Sequence, residues 1–316
     1  MARFYVSGRP ENSPPGYSWS GMPSILRATT PLLDIAYESS GPEGGAPVLL
    51  VHGWPDDVRT YDGIVPALQA AGFRTVAPWL RGFGPTRFLS PATPRSGQIA
   101  AMSQDILDFA DAVGLDRFRI VGHDWGARIA YFLASIAPSR VVRMATLSLG
   151  WDPGALKTPG FDQARNFWYQ WFMATERGAE IVKNDGMAFT RFLWTTWSPS
   201  QWFDEAAFAE TARSFENPDW AAITLHSYRV RWEEAEPDPR YDDLEARQRA
   251  VRTIKVPTLL IHGADDRCVA AATSDGKARN FTADYERRVI PGVGHFPTRE
   301  APETVAAWLV ECLRRE

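Results

Sequence analysis

Apolar and polar residues alternate over residues 24–28 and again over 32–39, the period-two pattern of strands with an exposed face. Past a Gly- and Pro-containing turn at 41–47 the pattern changes. Val48-Leu-Leu-Val51 is a short unbroken apolar run, as expected of a strand covered on both faces. From there strand-sized runs at 73–77, 118–121 and 141–149 alternate with helical spacings at 61–71, 98–113 and 125–137. Gly72, Gly114 and Pro138 stop the three helices. This rhythm predicts an α/β protein whose mostly parallel sheet carries helices on both faces. It breaks at Trp151. As far as about residue 250 the apolar positions follow helical spacing, with proline interruptions and no buried strand. It resumes with a strand at 258–262, a helix at 270–280, a strand at 285–290 and a closing helix at 302–314. Residues 1–150 and 251–316 are therefore expected to form one core domain, with 151–250 a helical cap inserted into it. Residues 1–22, rich in Gly, Pro and Ser, read as irregular surface chain.

Composition narrows the function classes. At 316 residues, 45% hydrophobic and 23% charged, the chain has a globular mix that excludes wholesale disorder. Its apolar runs are strand-sized and fall well short of the ~20 residues that cross a bilayer. A net charge of −4 with scattered arginines provides no basic footprint for nucleic acid. Cys268 and Cys312 form neither a disulfide framework nor a zinc ligand set, and a reduced cytoplasm fits them. The first ten residues lack a secretory apolar core, so no signal peptide is expected. Of 13 tryptophans, eight fall within 151–250, which points to an apolar pocket built by that segment.

Gly122-His-Asp-Trp-Gly126 lies between a predicted strand and a predicted helix. A small-x-nucleophile-x-small pentapeptide in that setting makes a sharp elbow that pushes its central side chain out above the sheet edge. The following helix aims its N-terminus at that side chain, which favours an anion. Here the central residue is Asp124. A carboxylate suits SN2 attack on a saturated carbon, leaving an alkyl ester on the protein. The bland alternative is an Asp capping the next helix.

His52-Gly-Trp-Pro55 follows the buried run at 48–51. The backbone N–H groups of Trp54 and Trp125 are candidates for an oxyanion hole, which would hold the oxygen that becomes negative when an ester is hydrolysed. Among five histidines, His295 closes the loop Pro291-Gly-Val-Gly-His295 after the last predicted strand and is the candidate general base. His262, at the end of a buried strand, reads as structural. The acid that would orient His295 is Asp266 in Gly263-Ala-Asp-Asp266, with Asp265 and Asp152 left open as alternatives. The order Asp124, Asp266, His295 is that of an α/β-hydrolase triad.

The chain resembles the α/β-hydrolase family over nearly its whole length, and within it the epoxide hydrolases. The likeness is carried by His52-Gly-Trp-Pro55, Gly82-Phe-Gly-Pro-Thr86, Gly122-His-Asp-Trp-Gly126, the Asp266 loop and Gly294-His295. Two cap motifs extend it. Phe167-Trp-Tyr-Gln170 followed by Gly178-Ala-Glu180 is similar to the first cap-tyrosine motif and gives Tyr169. Ser227-Tyr-Arg-Val-Arg-Trp232 is similar to the second and gives Tyr228. Met173-Ala174 and Asp56 depart from the family pattern and bear on substrate range.

The resemblance implies an α/β-hydrolase fold and an epoxide hydrolase: Asp124 as nucleophile, Tyr169 and Tyr228 as hydrogen-bond donors to the ring oxygen, His295 and Asp266 to activate water. It implies a small apolar epoxide and water as reactants, and no metal or organic cofactor. The Gly82–Gly84 stretch does not open a helix in the dinucleotide pattern. A haloalkane or haloacid dehalogenase, with indole N–H groups such as that of Trp125 for the halide, is the alternative within the branch. A hydrolase-fold carrier that binds without turnover is the alternative outside it. The oligomeric state, a homodimer included, is left open.

Overall fold

The computed structural model describes residues 24–154, 158–199 and 201–315, so the irregular chain expected at 1–22 lies outside the described residues. One sheet organises the chain. In chain order its strands are β1 (Leu26–Thr29), β2 (Leu33–Ser40), β3 (Ala46–Val51), β4 (Phe73–Pro78), β5 (Arg87–Phe88), β6 (Phe118–His123), β7 (Val141–Leu147), β8 (Thr258–Gly263) and β9 (Tyr285–Ile290). In space they run β1-β2-β4-β3-β6-β7-β8-β9, with the short β5 pairing to β2. From β4 to β9 every pairing is parallel, and β1, β2 and β5 add antiparallel partners at one side.

The position of β3 explains its sequence. It pairs with β4 on one side and β6 on the other, and Val48, Leu49, Leu50 and Val51 are wholly buried. Burying each such side chain contributes about 1.5–3 kcal/mol. Of the two alternating strands, β1 at the edge keeps its exposed face. β2 lies between β1 and β4 and is more covered than its pattern implies, with Leu33, Ile35 and Ala36 buried.

The core helices are α1 (Val65–Ala70), α2 (Ile99–Ala112), α3 (Trp125–Ile136), α10 (Pro297–Glu300) and α11 (Pro302–Arg314). Between β7 and β8, which are neighbours in the sheet, the chain makes α4 (Phe161–Asn166), α5 (Trp168–Ala174), α6 (Glu176–Thr196), α7 (Glu205–Ala212), α8 (Trp220–Arg231) and α9 (Asp242–Ala250). Helices α5, α6 and α8 pack on one another. Two indoles tie them to the loop after β3: Trp54 donates to Thr224 Oγ1 and Trp194 donates to the Pro55 carbonyl. The inserted helices thereby sit over the C-terminal ends of the central strands.

Two expectations are corrected. The helix expected at 270–280 is a pair of single 3-10 turns, Ala271–Ser274 and Lys277–Asn280. Gly276 between them takes a left-handed φ of 66°, and the Ser274 hydroxyl is turned inward to His262. The helix expected at 61–71 begins only at Val65, after a 3-10 turn at Val58–Tyr61, because Asp62 and Gly63 intervene before Pro66 starts α1.

Candidate active site

Asp124 stands at the turn from β6 into α3, with φ 48° and ψ −109°. A non-glycine residue at positive φ stores strain that its surroundings must hold. Close packing does so here: a Cβ at Gly122 would lie 2.2 Å from the Gly126 carbonyl oxygen, and one at Gly126 would lie 1.8 Å from that of Val51. Only glycine fits either place, which is why the elbow carries a glycine on each side. The Asp124 side chain makes no cap bond to its own helix. Its Oδ1 instead accepts the Trp54 N–H at 3.0 Å.

The loop after β9 brings His295 to this carboxylate, with Nε2 3.8 Å from Asp124 Oδ2. On the other side of the ring, Nδ1 donates to Asp266 Oδ2 at 2.9 Å. That bond sets the tautomer and leaves the buried Nε2, which has no hydrogen-bond partner among the described residues, turned toward Asp124. The His295 main chain is held at both ends. Its N–H donates to Ser198 Oγ, and its carbonyl accepts from Ser148 Oγ and the His123 ring.

Asp266 is fully enclosed. Its Oδ1 accepts the N–H groups of Cys268 and Val269, each at 2.8 Å. Burial alone would raise its pKa, but the charge of His295 and the bonds from His262 and His295 outweigh it and hold the carboxyl well below the usual range. His295 responds in kind: burial would lower its pKa, and Asp266, with Asp124 behind it, raises it. The other two acids are engaged elsewhere. Asp265 accepts the Gly292 N–H, and Asp152 pairs with Lys277 at 2.5 Å. His262 is bonded to Ser274 and Val269, anchoring the loop that carries Asp266.

Tyr169 on α5 and Tyr228 on α8 meet edge to face above the elbow, their ring centroids 5.4 Å apart. Trp54 stacks on the first at 5.8 Å and meets the second edge-on at 5.0 Å. The Tyr169 hydroxyl accepts a 2.7 Å bond from Gln170 Nε2 and lies 3.5 Å from Cys268 Sγ. Because Gln170 Oε1 takes the Trp232 indole N–H at 2.9 Å, its amide must present nitrogen to Tyr169, which leaves the phenolic hydrogen free to donate. Burial pushes both phenols well above their ordinary pKa, so each stays an O–H donor at neutral pH. The Trp125 indole N–H is turned toward the Tyr228 hydroxyl but forms no well-aligned hydrogen bond among the described residues.

Every residue singled out in the sequence as a site candidate converges here, apart from Asp265 and Asp152. Three neighbours escaped that reading: Ser198, Gln170 and Arg128. Gln170 lay within the motif quoted for Tyr169 without a role of its own, and Arg128 left a signal as a lone charge in the otherwise uncharged stretch of α3 four residues after Asp124. Among the described residues, no group of three or more His, Cys, Asp or Glu side chains is placed to hold a metal ion, and no helix is long and apolar enough to cross a membrane.

Comparisons with known proteins agree with this architecture. The family described as alpha/beta hydrolase fold matches residues 46–302. A solved structure of a candidate epoxide hydrolase from Klebsiella pneumoniae superposes with a TM-score of 0.87 and 37% identity, covering 92% of this chain and 97% of that one. Epoxide hydrolase A of Mycobacterium tuberculosis is 27% identical over 310 residues, 86% of this chain and 91% of its own length. Epoxide hydrolase 3 of Siraitia grosvenorii is 36% identical over 109 residues, 34% of either chain. This chain belongs to the α/β-hydrolase fold family, in the company of epoxide hydrolases, and is a hydrolase.

Proposed function

We propose that the protein opens an epoxide to a vicinal diol through an ester on Asp124. The observation that carries this reading is a carboxylate, where other hydrolases place a hydroxyl or thiol, set between a His–Asp pair and two phenols. Asp124 Oδ2 attacks one epoxide carbon, and the carbon–oxygen bond of the ring breaks. Tyr169 and Tyr228 hydrogen-bond the departing oxygen, and one of them gives it a proton. His295 Nε2 then takes a proton from water, and the resulting hydroxide adds to the ester carbonyl carbon. The negative oxygen formed is the former Oδ1, already seated on the Trp54 N–H, with the Trp125 N–H as second donor. Collapse frees the diol and Asp124. The proton on His295 returns to the phenolate, so the sum is epoxide plus water to diol. Asp266 keeps His295 in the tautomer this requires. The helices of 151–250 act as a cap domain that supplies the phenols.

A second reading has its own support. The Trp125 indole N–H, without a well-aligned partner among the described residues, is a ready donor to a leaving halide, which needs no proton. That would make the protein a haloalkane or haloacid dehalogenase with the same nucleophile. Intact mass spectrometry of His295→Gln, incubated separately with styrene oxide and a 1-haloalkane, separates the two. Without its base the protein should stall as the ester. An adduct of styrene oxide mapping to Asp124 is expected. An alkyl adduct from the haloalkane alone would replace the first reading by the second, and no adduct from either would sink both.

A further inference from the structure

Arg128 lies in the first turn of α3, its backbone N–H donating to the Asp124 carbonyl at 3.1 Å. It is half-buried, its Nε is fully enclosed without a hydrogen-bond partner, and no carboxylate among the described residues pairs with it. Three other inward guanidinium groups do have carboxylate partners. Arg81 has Asp105, Arg299 has Asp56 and Arg59 has Glu38. The groups that act on Arg128 are those of the site: Arg231, Asp124, Tyr169 and Tyr228, and burial together with the like charge of Arg231 pushes it down to about 10. Arg231, at the end of α8, likewise has no carboxylate partner among the described residues. Its guanidinium stacks on the Tyr228 ring at 5.2 Å and donates at 3.4 Å to Gln170, the residue that orients Tyr169. Two cations thus converge on the phenols from the core and from the inserted helices. Holding unpaired like charges out of water is unfavourable, and an anion brought by a ligand would relieve it.

We infer that Arg128 and Arg231 form a carboxylate-binding subsite beside Asp124, so that the preferred substrate is an epoxide bearing a carboxylate within a few bonds of its ring. This rests on the epoxide-hydrolase reading and revises the expectation of a purely apolar substrate. The backbones of the nucleophile and of Arg128 are about one helical turn apart, which favours a short acid as the bridging ligand. The tryptophans pack the walls, and the arginines select the charge.

The test compares glycidate with glycidamide on the full-length protein, alongside equilibrium binding of the inert isosteres cyclopropanecarboxylate and cyclopropanecarboxamide followed by tryptophan fluorescence. A charge-assisted, two-pronged contact predicts a kcat/KM preference of about thirtyfold for glycidate. The preference should fall toward one in Arg128→Gln and in Arg231→Gln, and return in part in Arg128→Lys. Cyclopropanecarboxylate should bind and the carboxamide should not, a comparison that needs no variant to fold. Equal use of both epoxides by the parent protein, or a preference that survives both substitutions, overturns the subsite. If glycidamide is opened while cyclopropanecarboxylate fails to bind, the subsite is wrong and the epoxide-hydrolase reading stands. If cyclopropanecarboxylate binds in an Arg128-dependent way and neither epoxide is opened, the anion site stands without the substrate class, and the reaction assignment has failed.

Discussion

Asp266→Asn changes one oxygen to nitrogen and should stop the second half of the reaction while sparing the first. Asp266 Oδ1 holds two backbone N–H groups at 2.8 Å, and Oδ2 holds His295 Nδ1 at 2.9 Å. An asparagine keeps its carbonyl on the two amides, because they are fixed donors. Its NH2 then faces His295 Nδ1. Two donors cannot meet, so Nδ1 turns acceptor and the ring proton moves to Nε2, the nitrogen that must accept a proton from water. The equivalent fault in Ser-His-Asp triads lowers kcat by about 10⁴, or about 5 kcal/mol of barrier. Alkylation of Asp124 needs no base. In rapid-quench experiments with excess styrene oxide, the variant should consume one epoxide per protein at close to the parent rate and then release diol about 10⁴-fold more slowly. Raising the pH should not restore it, because the fault is the position of the proton. Diol release within tenfold of the parent, or a loss confined to the initial burst, would refute the role given to Asp266.

Three further outcomes are expected. Tyr169→Phe or Tyr228→Phe should each slow epoxide consumption about 10–100-fold, and the double variant by more than 10³, since proton donation contributes about 10²–10⁴; if a haloalkane is turned over, the same variants should leave that rate nearly intact. Arg81→Met should lower stability in urea by about 3–5 kcal/mol because it strands Asp105, whereas Arg81→Met with Asp105→Leu should recover most of the loss. Asp57 is raised to about 7 by burial and by the charge of Asp56. Its folded value therefore exceeds the roughly 3.9 of an unfolded aspartate, the native state binds the extra proton, and this group makes stability fall as pH rises from about 4 to 7. Asp57→Asn, which can accept from Ser214 and Trp79 only by giving up the bond from the Arg59 N–H, should lose stability by a pH-independent amount and yet gain in Tm relative to the parent between pH 5 and pH 8, and a difference that does not change with pH would count against the assignment.

How far the sequence could be read depended on whether a feature was local. The elbow is five contiguous residues, so Asp124 stood out from spacing alone, although only the Gly122 clash lies within its own strand–turn–helix unit and the Gly126 clash is with Val51 on the neighbouring strand. The buried run at 48–51 announced an interior parallel strand for the same reason. Asp265 and Asp266 were not separable by position, since both follow Gly263. What distinguishes them is the turn that sends one to Gly292 and the other to His295. The helix expected at 270–280 had adequate composition and lost to a distant demand, the Ser274 hydroxyl required by His262. Ser198 acts through partners far away in the chain and leaves no pattern, and Gln170, though inside the motif quoted for Tyr169, gets its orientation from the distant Trp232.

Ser198 carries one more consequence. Its hydroxyl sits at the exit of α6, accepts the His295 N–H and donates to Glu300, whose carboxylate also takes the Gly294 and Phe296 N–H groups. The helical insertion and the loop of the base thus share one set of bonds. In chimaeras, this insertion is not an interchangeable module. A transplanted one lacking a hydroxyl at position 198 would orphan the His295 amide and let the imidazole drift, disabling water activation in a hybrid whose sheet, elbow and nucleophile were all intact.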